Sequence, residues 1–189
     1  MKKIGILGGT FDPPHLGHLI MAEEVHFKLE LDEVWFVPSY EPPHKEKAKT
    51  RVEDRIKMLE AAIQTNEHFS VNLLEIERSG KSYTYDTVRQ LKKDNQNVTF
   101  YFIIGADMVE YLPNWYKVEE LVRFIQFVGV KRKGFPLTSK YPILEVEAPL
   151  IDVSSTMIRE RIANNQPVRY FVPDIVQKII KERHLYGFE

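Results

Sequence analysis

The stretch Lys3-Ile4-Gly5-Ile6-Leu7-Gly8-Gly9-Thr10-Phe11-Asp12-Pro13-Pro14-His15-Leu16-Gly17-His18 decides the fold class. Its first five residues are an apolar run that reads as a β-strand. Two glycines and two prolines follow, the punctuation of a turn. Beyond His18, the apolar residues Leu19, Ala22, Val25 and Leu29 recur at three- and four-residue steps, as on one helix face. The order is strand, turn, histidine pair, helix. In an open α/β sheet, the end of a first strand and the start of its helix form a place to hold a phosphate. Paired glycines let the backbone approach a ligand, and unpaired amides at a helix start favour an anion. His15 and His18 share one side of a first helical turn, the side that faces the anion.

Outward from this stretch, β-rich segments alternate with helical patterns. Glu33 to Val37 reads as a second strand and Phe69 to Ile76 as a third, with a helix over Arg51 to Gln64 between them. Ser82 is positioned to cap a helix from Tyr83 to Lys93. Val98 to Ile104 and Ile125 to Val130 are almost wholly apolar, as strands covered on both faces are. Leu144 to Val146 reads as a short strand, Ser154 or Ser155 caps a helix through Ile162, and Pro173 opens a last helix, Asp174 to Glu182. The alternation predicts a doubly wound, mostly parallel, Rossmann-like α/β sheet with helices on both faces, folded as one domain over residues 1–189. Ligands then gather at the carboxyl ends of the strands, where Gly8 to His18, Pro38 to Lys45 and Gly105-Ala106-Asp107 all fall. The loops Pro38 to Lys47 and Gly134 to Pro142 read as ordinary surface connections.

Composition narrows the function. With 26 basic against 27 acidic residues the net charge is −1, so no basic excess points to nucleic acid. There is no cysteine, which excludes disulfides, thiolate catalysis and sulfur-ligated metals. The run after Lys2-Lys3 is too short for a signal peptide, and no segment is long enough to span a membrane. A cytoplasmic protein without a membrane partner is the expectation, with room for a homo-oligomer. Zinc enzymes pair histidines on a helix at four-residue spacing around a glutamate. Here Leu16 and Gly17 intervene and no third ligand is evident, so the pair reads as phosphate-binding, with no bound metal of its own.

Two elements carry a resemblance. His15-Leu16-Gly17-His18 resembles the His-x-Gly-His signature of the nucleotidyltransferase superfamily, and Ser154-Ser155-Thr156-Met157-Ile158-Arg159 resembles its Ser-x-Thr-x-x-Arg element. Three further stretches are similar to bacterial nicotinate-nucleotide adenylyltransferases: Pro42-Pro43-His44-Lys45, Ser82-Tyr83-Thr84-Tyr85-Asp86-Thr87, and Ile104-Gly105-Ala106-Asp107 with Leu112-Pro113-Asn114-Trp115-Tyr116. With Leu185-Tyr186 the likeness spans essentially the whole chain.

The resemblance implies ATP-dependent adenylyl transfer to nicotinate mononucleotide, giving deamido-NAD and pyrophosphate in NAD biosynthesis. The same chemistry on nicotinamide mononucleotide or phosphopantetheine, and a nucleotide-binding sensor without turnover, are the rival readings. The nucleophile is already an anion, so catalysis rests on positioning and on neutralising phosphate charge. By the resemblance His18 contacts the α-phosphate, while His15, Thr10 and the Gly8-Gly9-Thr10-Phe11 backbone hold the triphosphate. Gly17 leaves room for the adenosine, and Gly105 belongs to the same subsite. Ser154, Ser155 and Arg159 would receive the departing phosphates; alone, they read equally as a capping serine and a surface arginine. Asp107 either binds the ribose or caps a helix from Met108 to Leu112. Trp115, otherwise a core plug, would stack on the pyridine ring. Thr84, Tyr85 and Tyr116 would surround the ring and its carboxylate, while His44 and Lys45 reach the mononucleotide phosphate. Mg²⁺ is implied as the partner of the ATP phosphates.

Overall fold

In the computed structural model, which describes residues 1–42, 48, 50–131, 134, 136–149 and 151–188, the N-terminal apolar run forms β1, Lys2–Gly9. It pairs in parallel with β2, Glu33–Pro38, on one side. Chain order continues with β3 (Phe69–Val71), β4 (Val98–Gly105), β5 (Gln126–Lys131) and β6 (Ile143–Glu147). β4 pairs with the other side of β1, so Ile6 stands between Trp35 and Phe102. Among the described residues the six strands make one sheet in the order β3-β2-β1-β4-β5-β6. All its pairings are parallel. Winding runs one way from β1 to β3 and the other way from β4 to β6. The crevice at the carboxyl ends of β1 and β4 is therefore the switch point of the sheet.

Period-two alternation sorts the strands' side chains to two cores. Ile4, Ile6, Phe100, Phe102, Ile104 and Phe127 face one layer, which meets α4 (Thr84–Asp94), α5 (Ala106–Tyr111) and α6 (Val118–Phe124) through Val88, Val109 and Leu121. Leu7, Phe36, Ile103, Val128 and Val130 face the other. That face packs on Ala22 and Val25 of α1 (Leu16–Leu29) and on Leu59 and Ile63 of α2 (Val52–Ile63). A third cluster joins Met58 of α2 to Ile158 and Ile162 of α7 (Ser155–Ala163) and to Val176, Ile179 and Ile180 of α8 (Asp174–Glu182). This packing brings α7, and with it Arg159, beside the turn that follows β1. Among the described residues, no helix is long and apolar enough to cross a membrane.

The expected strand over Phe69 to Ile76 is shorter, because its pairing stops after Val71. The Asn72 amide donates to Phe36 O at 2.9 Å. The Asn72 side chain then accepts from the Leu74 amide at 3.1 Å, turning the chain into α3 (Leu74–Arg78). α1 begins at Leu16, three residues before the apolar periodicity, with His15 as its N-cap. Ser82 does not cap α4; its Oγ accepts from the Tyr40 amide at 3.0 Å. Nor is the segment after Pro38 an ordinary surface connection at its start. Ser39 is buried, and its amide donates to Gly9 O at 2.9 Å.

Candidate active site

The turn after β1 bends sharply around its own side chain. Phe11 is buried in the left-handed region at φ 50°, and its ring folds back over Gly9. A Cβ on Gly9 would lie 3.1 Å from that ring, so any side chain there would have to displace the buried ring by a few tenths of an ångström. The turn's polar backbone is held from outside. Arg55 Nη1, on α2, donates to Thr10 O at 2.7 Å and to Ser39 O at 2.9 Å. Arg159 Nη1 donates to Asp12 O at 2.8 Å, and Ser155 Oγ to Pro13 O at 2.9 Å. Tyr186 Oη donates to the Asp12 carboxylate at 2.7 Å. Carbonyls that would repel a phosphate are thus turned onto cations and hydroxyls.

The histidine pair stands at the end of this turn. Its rings stack with centroids 3.6 Å apart, and the edge of Phe11 meets His18 at 5.0 Å. The His15 amide donates to His18 Nδ1 at 3.2 Å. An accepting Nδ1 leaves the neutral ring its proton on Nε2, a donor suited to a phosphate oxygen. His15 is only 7% exposed, and burial pushes its pKa down to about 4. The expected open amides at the helix start are partly taken, since the Leu16 amide donates to Phe171 O at 2.9 Å. Gly17 is buried at the start of α1. A Cβ there would lie 3.1 Å from both the His15 ring and Val153, so its missing side chain seats His15 against the Val153 segment.

A cleft of about 1520 Å³ runs from this turn to the start of α4 and the segment after α5. Gly8, Gly9, Thr10, Phe11, His15, His18, Gly105, Asp107, Ser154, Ser155 and Arg159 line one part of it, and Thr84, Trp115 and Tyr116 another. α7 is capped by Ser154, whose Oγ accepts from the Met157 amide at 3.1 Å. Asp107 is not a cap: α5 begins at Ala106, two residues before the expected start, with Gly105 in the N-cap position and no side-chain cap. Trp115 is half-buried and meets Phe102 and Phe127 edge-on at 5.8 and 6.0 Å. Tyr116 is exposed, with Tyr83 4.8 Å from its ring centre. Tyr85 does not join them. Its buried side chain turns away, donating from Oη to Glu120 at 2.8 Å. His44 and Lys45 lie outside the described residues.

Residues 6–161 match the cytidylyltransferase-like family. Over 187 residues the chain is 54% identical to the nicotinate-nucleotide adenylyltransferase of Bacillus subtilis (strain 168), covering 98% of this chain and 99% of that protein. This chain belongs to the nicotinate-nucleotide adenylyltransferase family. It is also 55% identical over 188 residues to a probable nicotinate-nucleotide adenylyltransferase of Geobacillus kaustophilus, covering 99% of this chain and 87% of that one. The fold matches the nicotinic acid mononucleotide adenylyltransferase of Plasmodium falciparum complexed with NaAD, at TM-score 0.84 and 22% identity over 100% of this chain and 99% of that one.

For this adenylyltransferase-family chain, three residues that shape the site escaped the sequence reading: Glu75 and Tyr186 line the cleft, and Arg55 lies buried behind the turn after β1. Arg55 sits in a helix whose apolar stripe gives no reason to single it out. Tyr186 is part of a resembling dipeptide, but nothing in its spacing ties it to Asp12. Glu75 falls in the stretch expected as strand; it is buried on the cleft, with Thr87 Oγ1 donating to it at 2.6 Å. Burial raises the Glu75 pKa, while bonds from Thr87 and Ser82 oppose the rise.

The burial of His15 has a measurable consequence. Its folded pKa, about 4, lies below its ordinary 6.5, so the unfolded chain takes up a proton that the folded chain refuses. His15 therefore contributes stability above pH 6.5 that is lost as pH falls towards 4. In an NMR titration its ring signals should stay flat from about pH 8 to 5. A midpoint near 6.5 would contradict the burial.

Proposed function

We propose that this chain transfers the adenylyl group of ATP to nicotinate mononucleotide, releasing pyrophosphate and deamido-NAD, a step of NAD biosynthesis. One observation carries the reading: a single cleft holds His15, His18 and Arg159 together with Thr84, Trp115 and Tyr116. Two nucleotides can therefore meet in it, phosphate to phosphate.

In the reaction a phosphate oxygen of the mononucleotide attacks the α-phosphorus of ATP. The new P–O bond forms as the bond to the bridging oxygen of the β-phosphate breaks, and pyrophosphate carries the electron pair away. No proton need be removed from the nucleophile, so the protein's task is geometry and charge. His18 would donate from Nε2 to an α-phosphate oxygen, where charge builds. His15, neutral and buried, would brace the His18 ring. Arg159 keeps guanidinium donors beyond those used on Asp12 and Thr156, and they suit the β- and γ-phosphates. Ser154 retains its hydroxyl proton for the same oxygens, whereas Ser155 gives its own to Pro13. Asp107 would accept from the ribose hydroxyls of ATP.

Mg²⁺ would be brought in by ATP and would supply neutralisation of the phosphate charge. Among the described residues no group of three His, Asp or Glu side chains is arranged to hold a metal, and an ion carried by phosphate asks for none. At the acceptor end, Trp115 would stack on the pyridine ring. The ring carboxylate would lie at the start of α4, where Thr84 is the first helical residue and no side chain caps the amides. His44 and Lys45 are assigned to the mononucleotide phosphate on the family resemblance alone. From the absence of cysteine we infer a reducing, cytoplasmic setting for the enzyme.

The acceptor is the sharpest test. Donors converging on a carboxylate are left unpaired by an amide, whose NH₂ is itself a donor. Each such mismatch costs about 1–3 kcal/mol in a desolvated pocket. Asp86, the carboxylate nearest Thr84 in sequence, does not line the cleft, while Glu75 is already engaged by Thr87. In a pyrophosphate-release assay, nicotinate mononucleotide should exceed nicotinamide mononucleotide in kcat/KM by roughly a hundredfold or more. Equal efficiencies would contradict the acceptor assignment. In the same assay, His18→Ala should cut turnover by about a hundredfold or more with the fold intact; near-normal turnover would remove His18 from the chemistry.

A further inference from the structure

The segment after α8 is held in an unusual backbone path. His184 and Tyr186 adopt left-handed conformations, with φ 48° and 63°, although neither is glycine. Such residues persist only where their surroundings over-determine them. The anchors are visible. Leu185 and Phe188 pack on the cluster formed by α2, α7 and α8. Just before them, Arg183 Nη1 donates to Asp54 of α2 at 3.0 Å. Between these anchors the Tyr186 side chain reaches into the cleft and ends on the Asp12 carboxylate at 2.7 Å.

That hydroxyl lies where three parts of the site converge. Asp12 belongs to the turn after β1, and its main-chain carbonyl is the acceptor for Arg159 at 2.8 Å. The Thr50 side chain also hydrogen-bonds to Tyr186. Arg159 is close enough for its charge to act on the phenol. Burial and the Asp12 carboxylate together raise the Tyr186 pKa, so the phenol stays a donor throughout the neutral range. Asp12 itself is only 5% exposed. A buried carboxylate without this donor would seek another partner, and the nearest cations, Arg55 and Arg159, already hold the turn.

We propose that Tyr186 is a positioning residue for adenylyl transfer: its hydroxyl fixes the Asp12 side chain, and through residue 12 it sets Arg159 and the turn leading to His18 against the triphosphate. The inference rests on the function proposed above. It does not require Tyr186 to touch either substrate. Loss of the hydroxyl should therefore appear in turnover at saturating substrates rather than in folding or in acceptor binding.

The test compares Tyr186→Phe, Asp12→Ala, their double variant and Asp12→Asn in the pyrophosphate-release assay with ATP, Mg²⁺ and nicotinate mononucleotide. Tyr186→Phe should lower kcat about tenfold or more, with the acceptor KM within about threefold and the thermal midpoint within a few degrees. Because both single changes break the same contact, the double variant should be no slower than Asp12→Ala alone. Asp12→Asn, whose amide oxygen still accepts from the phenol, should recover most of the kcat that Asp12→Ala loses. Wild-type kcat in folded Tyr186→Phe, or losses that multiply in the double variant, would overturn the proposal. Should Tyr186→Phe not fold, equal kcat for Asp12→Ala and Asp12→Asn would overturn it instead. A wild-type chain that makes no dinucleotide would refute the proposed function, a result separate from any ratio between variants.

Discussion

The buried guanidinium of Arg55 is the interaction on which the site depends. It is 1% exposed, and removing a cation from water costs several kcal/mol unless its donors are met. One nitrogen meets two main-chain carbonyls, Thr10 O and Ser39 O, from the turns that follow β1 and β2. Burial pulls the Arg55 pKa down, and the neighbouring Asp12 carboxylate pushes it back. The turns after β1 and β2 are thereby fixed to one helix and to each other. Without that tie, two buried carbonyls would be unpaired beside a site meant for phosphates.

From this point the arrangement extends outward by shared partners. The turn held by Arg55 offers Asp12 O to Arg159 and the Asp12 carboxylate to Tyr186, so α7 and the segment after α8 take their positions from it. His15 and His18 follow on the same stretch of chain, and burial keeps His15 neutral beside its partner. A neutral brace is useful, because two stacked imidazoliums would repel one another. At the opposite end of the cleft a second buried network, Glu75 with Thr87 and Ser82, fixes the start of α4. Each end is set by groups that need not touch substrate, which is how a phosphate-rich reaction can rely on preset geometry.

Much of this was legible in the amino-acid order. The parallel sheet followed from β-rich runs alternating with helical periods, and β4 is almost wholly apolar because helices cover both its faces. The histidine pair, Arg159 and Trp115 were legible as motif members, and one cleft does contain them. What escaped was decided by tertiary contact. Phe69 to Ile76 carries a strand-like composition, yet Asn72 ends the pairing and α3 follows. α6 buries only Val118 and Leu121, too few positions to make a period visible. Tyr85 and Thr84 are adjacent in sequence, but the helix start sends one side chain to Glu120 and leaves the other on the cleft. Arg55, Glu75 and Tyr186 owe their roles to partners distant in the chain, which no local pattern reveals.

The central claim is that the turn after β1 is set by Arg55 before any substrate arrives. Arg55→Lys tests it directly, because lysine keeps the charge but not the planar nitrogen at that reach. Calorimetric titration of ATP with Mg²⁺ into the folded variant should give a Kd at least about tenfold weaker than wild type, in line with the loss of charge-assisted bonds to two carbonyls. A folded Arg55→Lys chain that binds ATP with unchanged affinity would contradict the account.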